Sequence, residues 1–198
     1  MRYLQWVDGM NQLSFGRSFK VVLGLFVCMA SMLAVARGEQ SKGNEVSFQR
    51  IKIDEYQNFL KNWDSVKHPV LYALIQNASQ YDMLFAPAAV GGNKKPFAPD
   101  GKIYEKEQLI IVAKEMIAPP NMEASFKVEK ISEEDGNLVV SYVYNRVKSN
   151  ATYSVKNYLG LRIPKKAYKK MILIQNGEKI GELRLDEGEW VMPKVTDN

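Results

Sequence analysis

MEASFKVEKISEEDGNLVVSYVYNRV, residues 122–147, carries the strongest local signal in the chain. Ala124, Phe126 and Val128 alternate with polar or charged neighbours, the period of a strand with one buried face. Leu138, Val140, Tyr142 and Tyr144 repeat that period beyond Glu133, Glu134, Asp135, Gly136 and Asn137. Asp-Gly between two such runs predicts a tight hairpin, because glycine enters positive φ without a Cβ clash. Ile131 falls out of phase with Val128, which predicts a bulge near Glu129 and Lys130. This hairpin points to an antiparallel sheet and carries no chemistry of its own.

A second hairpin is predicted around Asn176-Gly177, between strands over 169–175 and 178–185. Val70–Ile75 (VLYALI) reads as a strand buried on both faces, and Glu107–Ile117 (EQLIIVAKEMI) as a central strand closed by Pro119 and Pro120. Residues 46–53 are strand-like. Residues 150–163 predict another strand, interrupted near Gly160. One helix is predicted from Asp54, with Gln57 three residues later as in a capping box. Tyr56, Phe59, Leu60 and Trp63 would form its apolar stripe, and Pro69 would end it. Residues 77–85 suit a short helix or turn. The fold class expected is α+β, mainly antiparallel β: a sandwich or curved sheet of seven to eight strands with one amphipathic helix packed on it.

The amino terminus reads differently from the rest. Arg2, Arg17 and Lys20 precede an uncharged run over 21–36, VVLGLFVCMASMLAVA, that ends small-x-small. Those are the parts of a secretory signal peptide over 1–36, cut after Ala36 or else Gly38, with Met10 as an alternative start. An uncleaved anchor is the rival reading, although sixteen residues fall short of the roughly twenty that span a bilayer. Lipidation at Cys28 is another, although Val27 stands where a small residue is wanted. Cleavage would remove the only cysteine, so the mature chain would hold no disulfide. It would also take the net charge of +5 to +3, with the loss of Arg2, Arg17, Lys20 and Asp8. So mild an excess does not argue for nucleic acid. The organisation expected is a flexible leader over 37–45, one β-rich domain over 46–190 and a tail over 191–198. The location expected is outside the cytoplasm: periplasm, cell surface or medium.

Catalytic and metal patterns are scarce. His68 is the only histidine, and no G-x-S-x-G, S-x-x-K or H-E-x-x-H occurs. Gly91, Gly92, Asn93, Lys94 and Lys95 lack the spacing of a phosphate loop. No catalytic, cofactor-binding or metal residues are therefore assigned, and no cofactor is expected. The carboxylates at Glu133, Glu134, Asp135 and at Asp186, Glu187, Glu189 read as solvated charge runs. Residues 86–101 hold three prolines and three glycines, and this long loop is the first place to look for a site. Asp82 and Asp100 beside it would serve a hydrolase, the alternative reading. The densest cationic set is Arg162, Lys165, Lys166, Lys169 and Lys170, interleaved with Tyr153, Tyr158 and Tyr168. It reads as a solvated rim or as a contact for an anionic envelope surface, with nucleic acid the least fitting ligand of an exported chain. Asn77-Ala78-Ser79 and Asn150-Ala151-Thr152 would accept glycans only in a eukaryotic secretory pathway.

From residue 105 to 183 the order of EKEQLIIVA, FKVEKISEEDGNLVVSYVY and LRIPKKAYKKMIL resembles a small exported β-domain family. That family is named for the C-terminal domain of a protease-complex B subunit. The resemblance implies an exported, non-catalytic accessory or interaction domain and supplies no catalytic residues. The partner expected is another exported protein or an anionic envelope polymer, with membrane contact only through an uncleaved leader.

Overall fold

The chain divides into two units, Met1–Ser41 and Lys42–Asn198. The computed structural model describes residues 43–88 and 95–194, all in the second unit. The expected signal peptide, Cys28, most of the leader and residues 91–94 lie outside the described residues.

The described chain opens with β1 (Asn44–Glu45), β2 (Gln49–Ile51), β3 (Asn58–Leu60) and β4 (Val70–Ile75). Helix α1 (Ala78–Leu84) and β5 (Phe85–Pro87) follow. Next come β6 (Glu107–Ile117), then β7 (Phe126–Glu134) and β8 (Asn137–Tyr144), then β9 (Ser154–Pro164). A second hairpin of β10 (Lys170–Gln175) and β11 (Glu178–Arg184) precedes β12 (Val191–Met192). One sheet has the order β1-β7-β8-β10-β11, a second β12-β4-β6-β9-β2, and β3 pairs β5 apart from both.

The two five-stranded sheets pack face to face. Their shared core holds Leu74, Ile110, Val112, Leu159 and Leu161 against Phe126, Ile131, Leu138, Tyr142, Met171 and Leu173. The other face of the second sheet is covered as well. Leu71, Ile75, Leu109, Ile111 and Tyr158 lie there under Tyr56, Leu60, Trp63, Tyr81, Leu84 and Phe85. Apolar contacts on both faces explain why β4 and β6 read as unbroken apolar runs. The class is α+β and mainly antiparallel β, a sandwich with one helix on its outer side. Twelve strands, among the described residues, exceed the seven to eight expected. The surplus consists of two- and three-residue pieces that carry little periodicity.

Both hairpins form where the turn residues place them. Asp135 and Gly136 take φ of 53° and 80°, and Asn176 and Gly177 take 54° and 83°. Such paired positive φ values match the right-handed twist of the flanking strands. The register of β7 on β8 slips between Val128 and Lys130, the bulge that the phase of Ile131 requires. The strand begins at Phe126 rather than Ala124, which sits in a 3-10 turn over Glu123–Ser125.

The predicted helix from Asp54 does not form. Residues 53–57 turn, β3 pairs β5, and Asn62 takes φ of 56°. Tyr56, Leu60 and Trp63 are buried, while Phe59 is 52% exposed. Three of the four stripe residues therefore reach the core from an extended backbone. Local polar groups compete with the helix. Asn58 Nδ2 donates to the Tyr81 hydroxyl and Phe97 O, Asn62 Nδ2 to Met83 O, and Asp64 Oδ1 accepts from Val66 and Lys67 N–H. His68 thus ends no helix, and its carbonyl accepts from Trp63 Nε1 at 2.8 Å. The helix lies instead over Ala78–Leu84, capped by Asn77, whose side chain accepts from Gln80 N–H.

Three further differences concern boundaries. Asn44 and Glu45, read as leader, pair with Glu133 and Ser132 at the edge of the first sheet. Val191, read as tail, is buried and pairs with Ala73. Gly160 interrupts nothing, because β9 runs through it opposite Ile111 and Ile51. A Cβ there would stand 3.2 Å from Ile51, so the glycine lets β2 close on β9.

Candidate functional site

The chain leaves the first sheet after β8, crosses the second as β9, and returns as β10, parallel to β8. Two connections result, at opposite ends of the sandwich. Residues 165–169 join β9 to β10 beside the Asp135-Gly136 turn, where Lys169 N–H donates to Gly136 O. Residues 145–153 join β8 to β9 beside the last residues of β6, where Ala118 N–H donates to Tyr153 O. Eight residues of β8 separate the ends, roughly 25 Å at about 3.3 Å per residue.

The predicted cationic set occupies the first end, and most of it is already engaged. Arg162 points to the outer side, where its guanidinium pairs with Glu55 and the Tyr56 hydroxyl. Lys166 pairs with Glu133 at 2.5 Å, and Lys170 with Glu182 at 3.4 Å. Lys165 Nζ donates to Tyr104 O at 2.6 Å. Among the described residues, Lys169 alone of the five makes no side-chain ion pair or hydrogen bond. Buried Gln108 donates to Lys166 O at 3.1 Å and pins the connection. The tyrosines are dispersed. Tyr158 is buried in the outer core, Tyr168 between the sheets, and Tyr153 is exposed at the far end. They build no common stacking surface.

The described parts of the long loop, 86–88 and 95–101, border a set of phenols. Gln57 N–H donates to Pro96 O, and Ala88 N–H to Gln57 O. Beneath lie Tyr56, Tyr81, Tyr104 and Tyr158, with Tyr81 stacked on Phe85 at 4.6 Å. Burial raises all four phenols above their ordinary value, Tyr158 to about 12. Asp82 is exposed on α1, and Asp100 caps a 3-10 turn through Lys102 N–H at 2.9 Å. Among the described residues no group of three or more His, Cys, Asp or Glu is placed to hold a metal.

The second end holds an open groove of about 740 Å³. Met116, Ile117, Pro119 and Val147 give it apolar walls; Tyr144, Arg146, Lys148, Ser149 and Asn150 line the rest, with Glu115. Its walls are pinned from several sides. Ser149 Oγ donates to Ala118 O, Asn145 N–H to Ser125 O, and Asn157 Nδ2 to Met122 O at 2.8 Å. The Asn176 turn holds Tyr144, whose N–H donates to Asn176 Oδ1 at 2.8 Å. Lys114 stands beside the groove. Its ammonium lies 4.7 Å from the centre of the Tyr144 ring, and burial lowers its pKa. Arg146 and Lys148 are exposed, and none of the three cations has a carboxylate partner among the described residues. Glu115 is engaged with Ser65. Solvated surface lysines often lack partners; a half-buried one gives up hydration and gains only a ring face.

Sequence density could not single out these residues, since Lys114 stands apart from Arg146 and Lys148. One signal was present. After Ile110 and Val112, the two-residue period puts Lys114 next on the inter-sheet face, where a charge calls for a reason. No protein-family model, curated protein or solved structure matches this chain.

Proposed function

We propose that this chain is an exported, non-catalytic binding or accessory module that holds an anionic partner, another exported protein or an envelope polymer. The observation that carries the reading is Lys114, half-buried against Tyr144 with no carboxylate partner among the described residues, at a groove flanked by Arg146 and Lys148. A charge so placed gains from an incoming anion, which restores what desolvation removed. The export part of the proposal rests on the basic, apolar and small-residue order of residues 1–36. The resemblance over residues 105–183 supports the accessory role.

Export is tested by intact mass. A tagged precursor made in cells should lose about 36 residues and be recovered outside the cytoplasm. Binding is tested by immobilising the purified processed protein and passing envelope extract over it at low salt. The parent should retain material that a Lys114→Gln, Arg146→Gln, Lys148→Gln variant releases. Equal retention by both proteins would remove the groove from the function.

A further inference from the structure

The groove joins two kinds of surface, cations and apolar side chains, and a ligand that satisfies only one leaves the other exposed. A sulfated or phosphorylated polymer would meet Arg146 and Lys148 and leave Ile117, already 50% exposed, uncovered. A purely apolar segment would cover Met116 and Ile117 and leave Lys114 without an anion. A third observation concerns the backbone. The β4–β6 ladder ends at Val70–Lys114, whereas β6 continues on β9 to Ile117. Among the described residues Glu115, Met116 and Ile117 therefore pair with a strand on one side only, and such an edge accepts an extended chain.

We infer that the groove takes an acidic peptide segment in extended form, one carboxylate on the Lys114 ammonium beside Tyr144 and neighbouring apolar side chains on Met116 and Ile117. The inference rests on the binding-module reading and names the partner class for the same groove. Lys114 is its specificity-determining residue. Arg146 and Lys148 contribute attraction that salt screens within about 10 Å at 0.1 M.

The test uses fluorescence anisotropy with the processed protein and three probes. These are a labelled pentapeptide alternating glutamate and leucine, the same peptide with glutamine for glutamate, and a labelled heparin fragment. The acidic peptide should bind at low salt, and both the glutamine peptide and Lys114→Met should weaken it about tenfold. Lys114→Arg should keep most of the affinity, because the guanidinium preserves charge and ring contact. Arg146→Gln, at an exposed position, should weaken binding mainly at low salt, which keeps the test meaningful were Lys114→Met to misfold. Equal affinity for the acidic and glutamine peptides, or no effect of Lys114→Met in a folded protein, would overturn the inference. Heparin binding through Lys114 without peptide binding would overturn the peptide class and leave the binding-module reading standing. No binding of any probe, together with equal retention of envelope material by parent and groove variant, would overturn both.

Discussion

The two ends of the sandwich carry cations under opposite conditions. At one end Arg162, Lys166 and Lys170 each face a carboxylate of their own chain. At the other, Lys114, Arg146 and Lys148 border a groove with no carboxylate partner among the described residues. The first end is dense in sequence and largely neutralised in space; the second is sparse in sequence and uncompensated. The number of cations in a stretch measures how much charge is present. Pairing decides how much of it a ligand can use.

High pH should produce the largest change, and at the paired end first. Arg162 rests on an outer core containing Tyr56, Tyr81, Tyr104 and Tyr158. Burial keeps these phenols protonated in the fold, while an unfolded chain ionises them near pH 10. The unfolded state then holds fewer protons, so stability falls as pH rises above about 10. Tyr81, Tyr104 and Tyr158, the most strongly raised, should each withdraw about 1.4 kcal/mol per pH unit. Urea melts at pH 9 and pH 11 should differ by several such steps, and coincident melts would place the phenols in water.

Trp63→Ala should cost about 3–5 kcal/mol, because the indole is buried and a cavity would remain. The indole also lies under Lys156, whose Nζ donates to the Trp63 carbonyl at 2.7 Å. A variant that melts with the parent would make this outer layer peripheral.

Smaller and opposite effects separate Arg162 from Lys114. Arg162→Leu strips the partner from Glu55 and Tyr56 and should cost about 2 kcal/mol, less than a fully buried pair because both side chains are partly exposed. Adding Glu55→Gln should recover part of the loss, and strict additivity would deny the coupling. Lys114→Met removes a half-buried ammonium that no carboxylate among the described residues compensates, so the melting temperature should stay level or rise slightly. A large fall would make Lys114 a structural residue and weaken its role as an anchor.

Much of the fold was legible because its signals are local. Asp135-Gly136 and Asn176-Gly177 fix their turns through positive φ, and the apolar runs of β4 and β6 match their observed bounds. The 54–69 stretch misled because its apolar spacing suits a helix, while Asn58 and Asn62 find their partners, Tyr81 and Met83, only in the folded context. The parallel pairing of β8 with β10 depends on a strand in the other sheet, which no window of sequence contains. The same holds for the site. Glu55 lies 107 residues from Arg162 and Glu133 lies 33 from Lys166, so a basic run could not be recognised as paired from its own residues.

The most direct measurement is retention on immobilised heparin, eluted with a salt gradient, for parent and two variants. One variant carries Lys114→Gln, Arg146→Gln and Lys148→Gln; the other carries Lys165→Gln, Lys166→Gln, Lys169→Gln and Lys170→Gln. The second loses more formal charge, yet three of its lysines already have acceptors at Tyr104, Glu133 and Glu182. The groove variant should therefore elute at clearly lower salt than the parent, with the four-lysine variant close to the parent. The reverse order, with the four-lysine variant released first and the groove variant held, would contradict the account.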